Sequence, residues 1–282
     1  MSKDVALVLS SGGARGLAHI GAIEELEAQG YRITSIAGCS MGALIGGVYA
    51  AGKLDEFRNW MKTVDRKKML ELTDFSFSLN HIVKGTRIIE AIMEFVPDVK
   101  IEDLPIPYCA VATDWVTGHE VVFREGSLFE AIRASISLPS FYEPVHRDGM
   151  ILIDGGVTNP IPLNRVVRKE GDILVGVDVS GHDYKAQSEM HHELAEKRKR
   201  STSLSQQILN KLIPDNLEFN YYTMLSRVSS ILIRQNSILM AQLMKPDILV
   251  DIQMARYGGF DFDKSEKLIA IGRQKTLQAL NK

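Results

Sequence analysis

Ser40 stands in Gly38-Cys39-Ser40-Met41-Gly42, a G-x-S-x-G pentapeptide set between an apolar run ending at Ala37 and a small-residue run beginning at Ala43. A hydroxyl in that context is a candidate nucleophile. A strand, a sharp turn and a helix would project the side chain from the turn, and Gly38 and Gly42 leave room for strand and helix to approach. Acyl transfer through such a serine needs donors for the oxyanion and a base for the hydroxyl proton. Ser11-Gly12-Gly13-Ala14-Arg15-Gly16, at another strand-to-helix junction, offers the donors, because free backbone N–H groups and the positive helix end make an anion site there. Gly12 and Gly13 are the nearest candidates within the Gly12, Gly13, Ala14, Arg15, Gly16 turn. Arg15 either braces the loop, faces bound anion or is a plain surface arginine. A dinucleotide fingerprint fits less well: Ser11 replaces its first glycine, and no ribose-binding acid follows the second strand.

The base is not an obvious histidine. Of His19, His81, His119, His146, His182, His191 and His192, only the last three follow the strongest acidic candidate, and they lie in a polar segment without a strand-end pattern. His19 reads as a packing or capping residue. Asp154 is better placed, since Ile151-Leu152-Ile153 is a short buried strand and Asp154-Gly155-Gly156 leaves it in a tight turn. If that strand is parallel to the others, Asp154 emerges on the same sheet edge as Ser40. A carboxylate is a weak base toward a hydroxyl, so it requires short hydrogen-bond contact and a partly desolvated site.

The elements that must position these turns alternate. Val5 to Leu9 reads as a buried parallel strand, followed by a helix with Leu17, Ile20, Ile23 and Leu26 on one face and Gly30 as its C-terminal cap. Ile33 to Ala37 is the next strand, and a small-residue helix runs from the serine turn to about Ala51, closed by Gly52. Helical segments follow around 54–71 and 86–95. Strands are expected at Tyr108 to Thr113, Glu120 to Phe123, Ile151 to Ile153, Ile173 to Val177 and Ile248 to Val250, with helices over roughly 217–243 and Ser265 to Leu280. The pattern implies an α/β fold, three-layer α/β/α around a mostly parallel central sheet. One domain over residues 1–282 is expected, with the catalytic turns within 5–180 and the remainder a helical extension plus a last strand and helix.

Composition sets outer limits. The chain has 282 residues, 45% hydrophobic and 24% charged, with formal net charge -2. That charge gives no basic field, so no nucleic acid partner is expected. Lys197-Arg198-Lys199-Arg200 is a local exception, read as a solvated face or as a contact for anionic headgroups or another protein. The two cysteines, Cys39 and Cys109, suit a reducing compartment, and no Cys/His spacing suggests a metal. No apolar run reaches the ~18 residues of a spanning helix. The expectation is a cytoplasmic protein, with peripheral membrane contact left open and oligomeric state undetermined. Leu72, Phe75, Phe77, Leu79 and Ile82 read as a lid or acyl-chain rim, or as a loop packed on the core. The helix carrying Ile231-Leu232-Ile233, Ile238-Leu239-Met240, Leu243 and Met244 is expected to bury its apolar face, with a membrane or second subunit as the other partners.

Together the three turns, in this order and at strand ends, resemble a patatin-like phospholipase of the compact bacterial type. Arg133-Ala134-Ser135-Ile136-Ser137-Leu138-Pro139 and Thr158-Asn159-Pro160-Ile161-Pro162 extend the resemblance over roughly residues 5–180. It implies a Ser40-Asp154 dyad without histidine, acyl-ester hydrolysis through a covalent acyl-serine, an oxyanion hole in the first glycine turn, and no cofactor or metal. The family's glycine turn usually opens with Gly, where this chain has Ser11. The function implied is a serine acyl-ester hydrolase on lipids. The alternatives are a cytosolic carboxylesterase or thioesterase on soluble substrates, and a regulatory adaptor that keeps the fold.

Overall fold

The computed structural model describes residues 3–72, 84–139, 141–181, 188–189, 192, 221–254, 257–259 and 261–282. Strands β1 (Asp4–Leu9), β2 (Arg32–Cys39), β3 (Tyr108–Asp114), β4 (Glu120–Phe123), β5 (Val145–Arg147), β6 (Met150–Asp154), β7 (Ile173–Gly181) and β8 (Ile248–Gln253) form one sheet. Its order is β5-β6-β3-β2-β1-β7-β8, with β4 beside β3. The stretch β3-β2-β1-β7-β8 is parallel, whereas β4 and β6 run antiparallel to β3.

The apolar run of β1 is buried on both faces, and its alternate residues part into two cores. Val5, Leu7 and Leu9 join Leu17, Ile20 and Ile23 on one side. That side is covered by α1 (Ala18–Ala28) and α2 (Met41–Ala50), with α8 (Ser265–Leu280) packed on α1. Ala6 and Val8 turn the other way, against Ile161, Leu163 and Leu174, with Met240 and Met244 of α7 (Tyr221–Met244) above them. Helix, sheet and helix are therefore stacked as three layers.

Register brings the site together. Leu9 lies opposite Gly38 and Cys39 opposite Val111, so the glycine turn and the serine turn leave the same edge at one level. β3 overshoots that level and folds back through β4. β6 then descends the overhang antiparallel, pairing Asp154 with Ala112. The same edge was expected on the condition that the strand before Asp154 is parallel; the strand is antiparallel, and it delivers the carboxylate to that edge from the opposite direction.

Two elements were not anticipated, though the signals are present. α6 (Leu128–Ser135) is N-capped by Ser127, whose Oγ accepts from the Glu130 N–H at 3.0 Å, a Ser-x-x-Glu start. β5 and β6 are joined by Asp148-Gly149, both with positive φ (50° and 79°), the two-residue hairpin turn that Asp-Gly favours. The first helix begins at Ala18 after a 3-10 turn over Gly13–Leu17, and Gly30 (φ 78°) closes it as expected. Phe75, Phe77, Leu79 and Ile82 of the expected lid, and the Lys197 to Arg200 cluster, lie outside the described residues; Leu72 is buried at the end of α4 (Arg66–Leu72).

α7 is fastened by charge as well as packing. Arg234 donates to Asp178 of β7 at 2.8 Å and to Asp251 of β8 at 3.1 Å, with its side chain only 11% exposed. Burial still pushes the Asp178 carboxyl upward despite the arginine. Desolvation therefore competes with attraction in this pair. Arg234→Ala, which leaves Asp178 buried and unpaired, is expected to cost about 3–5 kcal/mol in denaturant unfolding. The Asp178→Asn, Arg234→Met double variant should recover most of that loss.

Candidate active site

Ser40 sits between the last residue of β2 and the first of α2 with φ 54° and ψ -121°, a strained backbone for a residue with a side chain. Two glycines permit it. A Cβ on Gly42 would lie 2.2 Å from the Leu9 carbonyl oxygen, and one on Gly38 2.5 Å from the Gly42 carbonyl oxygen. The elbow is also held from outside the motif. Ser135, at the end of α6, accepts the Ser40 N–H at its Oγ (2.8 Å) and donates to the Val111 carbonyl (2.6 Å). Sequence reasoning placed Ser135 only within the Arg133 to Pro139 segment and gave it no role.

The Ser40 Oγ donates to Asp154 Oδ2 at 2.6 Å. The other carboxylate oxygen, Oδ1, accepts the Gly156 N–H at 2.7 Å, and the Asp154 N–H donates to the Ser137 carbonyl at 2.9 Å. Asp154 is 3% exposed. Burial raises its pKa to about 6, against the lowering effect of the Ser40 and Gly156 hydrogen bonds. A carboxyl so placed is ionised at neutral pH yet basic enough to receive a proton.

The glycine turn faces the same cavity. Gly13 takes φ 56°, and Gly12 and Gly13 donate no backbone hydrogen bond among the described residues. The rest of the turn divides differently. The Ala14 N–H is spent on the Gly259 carbonyl at 2.7 Å, which corrects its inclusion among the donors. Gly16 is buried, where a Cβ would lie 2.3 Å from Met41 Cγ. Arg15 donates from Nε to the Gly12 carbonyl at 3.3 Å and lines the cavity, so it both braces the loop and faces the site. Burial lowers its pKa, with Asp178 opposing. Ser11 is buried and donates its N–H to the Pro160 carbonyl at 2.8 Å, tying the glycine turn to the segment after Asp154. Asn159 in that segment donates to Glu120 and Asn164, both at 2.8 Å, and Arg165 pairs with Glu120 at 2.6 Å.

No described histidine competes with Asp154. His19 is fully buried, its pKa is pushed down to about 4 by burial, and Nε2–H donates to the Ser10 carbonyl at 2.8 Å. His119, His146 and His192 are exposed, and His81, His182 and His191 lie outside the described residues. Burial, with Asp154 and Glu120 adding to it, pushes the Cys39 thiol well up, so it stays protonated beside the serine. Cys109 is likewise a buried free thiol, and no group of potential metal ligands occurs among the described residues.

The cavity over Ser40 has a volume of about 200 Å³ and a mixed lining. Met41, Leu44, Ile88, Ile89, Ile92 and Ile136 are among its apolar members, and Arg15, Ser180 and Ser230 among its polar ones. α7 contributes Ser230 and Ile233 to this lining, yet Leu232, Leu239 and Leu243 are exposed at 58%, 60% and 75%. Its apolar residues are therefore divided between the interior and the surface, where burial was expected. No helix among the described residues is long and apolar enough to cross a membrane.

A family model described as patatin-like phospholipase matches residues 7–167. The chain belongs to the patatin-like phospholipase family. An uncharacterized NTE family protein of Mycobacterium tuberculosis is 47% identical over 182 residues, 64% of this chain and 51% of the relative. Neuropathy target esterase sws of Drosophila melanogaster is 31% identical over 188 residues, 64% of this chain and 13% of that protein. The chain thus spans about half the length of the mycobacterial relative and far less of the insect one. Among solved structures, VipD from Legionella pneumophila has the same fold at TM-score 0.52 and 14% identity, over 98% of this chain and 66% of that one.

Ser135→Ala removes the partner of the Ser40 N–H and strands the Val111 carbonyl. Two buried groups left unpaired should lower stability by about 1–3 kcal/mol.

Proposed function

We propose that this patatin-like protein is a serine acyl-ester hydrolase acting on lipids, of phospholipase or lysophospholipase type. The observation that carries the reading is the 2.6 Å contact from Ser40 Oγ to a buried Asp154 whose pKa is raised to about 6, in a cavity lined by both apolar and polar side chains. An amphiphilic ester suits such a lining, with its acyl chain against the isoleucines and its leaving group toward Arg15, Ser180 and Ser230.

The Ser40 oxygen attacks the carbonyl carbon while its proton passes to Asp154 Oδ2. Negative charge develops on the carbonyl oxygen, where the Gly12 and Gly13 N–H groups, which donate no backbone hydrogen bond among the described residues, supply stabilisation of a few kcal/mol. The positive end of α2, which no side chain caps, adds to it. Collapse of the adduct expels the alcohol, which takes the proton from Asp154, and leaves an acyl-serine. Water then attacks that ester, giving a proton to Asp154, and the second collapse returns the proton to Ser40 as the fatty acid departs.

Ser40→Ala and Asp154→Asn are each expected to lower kcat by about 10³-fold or more with circular dichroism unchanged; an active Asp154→Asn enzyme rejects the dyad. A panel of phospholipids, lysophospholipids and short acyl esters tests the lipid assignment, and turnover of the soluble esters alone would replace it.

The pH dependence follows from the sign of the Asp154 shift. A protonated carboxyl cannot accept the serine proton, so kcat/KM should be lost below, and rise through, a pH of about 6. A profile flat from pH 5 to 8 would exclude Asp154 as the titrating base.

A further inference from the structure

One hydroxyl in the catalytic cavity is not used by the mechanism above. Ser11 stands where the family's glycine turn usually opens with Gly, and it lines the cavity together with Gly12, Ser40 and Asp154. It is only 4% exposed. Both of its backbone groups are committed: the N–H donates to the Pro160 carbonyl at 2.8 Å, and the carbonyl accepts from Ser10 Oγ at 3.1 Å. A fixed backbone therefore aims the side chain, yet Ser11 Oγ has no hydrogen-bond partner among the described residues. Its direction is marked by Gly156. A Cβ on that glycine would lie 3.1 Å from Ser11 Oγ and 3.0 Å from Asp154 Oδ1, so the hydroxyl and the carboxylate flank the same small gap. A buried hydroxyl with an unmet hydrogen-bonding demand, beside a carboxylate and open to a cavity, is a place for water.

We propose that Ser11 holds the water that hydrolyses the acyl-serine. The inference rests on the acyl-hydrolase reading and adds a residue to the second half of its reaction. Once Ser40 is acylated, its oxygen has no proton left to give Asp154, and water supplies one instead. Water carries two protons. One passes to Asp154 as the water oxygen bonds to the acyl carbon; the other is donated in a hydrogen bond to Ser11 Oγ and stays on the product acid. Collapse of the adduct then breaks the ester bond to Ser40 and returns the Asp154 proton to the Ser40 oxygen. The first half differs, because the attacking Ser40 hydroxyl has a single proton and needs no second acceptor. Ser11 is thus a positioning residue for deacylation alone.

Methanol separates this role from a structural one, since it has a methyl group where water has its second proton and so attacks the acyl-serine without using Ser11. The unaltered protein, Ser11→Gly and Ser11→Ala are each given p-nitrophenyl butanoate and lysophosphatidylcholine in buffered water with methanol, and the methyl ester and free acid formed are measured by gas chromatography. Loss of one hydrogen bond to the water should slow hydrolysis about tenfold and leave methanolysis as it was, so that the ratio of methyl ester to acid rises about tenfold in both variants. General damage to the glycine turn lowers both products together and leaves the ratio where it was. An unchanged ratio in either variant overturns the role of Ser11 while the hydrolase reading stands. An unchanged ratio with the acid limb of the pH profile displaced also overturns it, and makes the hydroxyl a partner of the Asp154 carboxylate instead. Absence of turnover of both esters by the unaltered protein overturns both readings.

Discussion

A carboxylate kept dry and held against a hydroxyl is the constraint on which the site depends. Burial raises the Asp154 carboxyl above the ordinary carboxylate range, because a charge taken out of water is disfavoured. Its two hydrogen bonds set the balance, one from Ser40 and one from the Gly156 N–H, bringing the pKa to about 6. Each oxygen of the carboxylate has one donor, so the group is oriented as well as tuned. The backbone is committed in the same way, with the Asp154 N–H on the Ser137 carbonyl and its own carbonyl accepting from Thr113 Oγ1 at 3.2 Å.

Holding that contact requires the unusual part of the sheet. Parallel β1 and β2 deliver the glycine turn and the serine turn side by side, as the βαβ rule makes natural. The third component comes from a strand running the other way, down the overhang of β3. Ser135, Ser137 and Pro160 then cross-link the arrivals through single hydrogen bonds to Ser40, Asp154 and Ser11. Strain at Ser40, with φ 54°, is sustained because its N–H, its side chain and the glycines around it are all fixed independently.

Much of this was legible from local chemistry. Apolar runs located β1, β2, β3, β7 and β8 and the helices around them, because buried parallel strands have little freedom in composition. The three turns could be singled out because a nucleophile, its oxyanion donors and a base would each need a particular residue type. Strand direction was not legible, since Ile151-Leu152-Ile153 looks alike in either orientation, and only the Asp148-Gly149 turn two residues upstream implies the hairpin that reverses it. The bracing serines were hidden for a different reason: Ser135 bonds to residues 95 and 24 positions away, and nothing local encodes that. Ala14 was misassigned because its N–H is used by Gly259, at the far end of the chain.

Ser40 and Asp154 are 114 residues apart, and the strand that carries Asp154 is joined to the strand before Ser40 only through β3, which pairs with both. The Ser40–Asp154 contact is consequently a property of the finished fold, which no fragment lacking β3 or β6 can form.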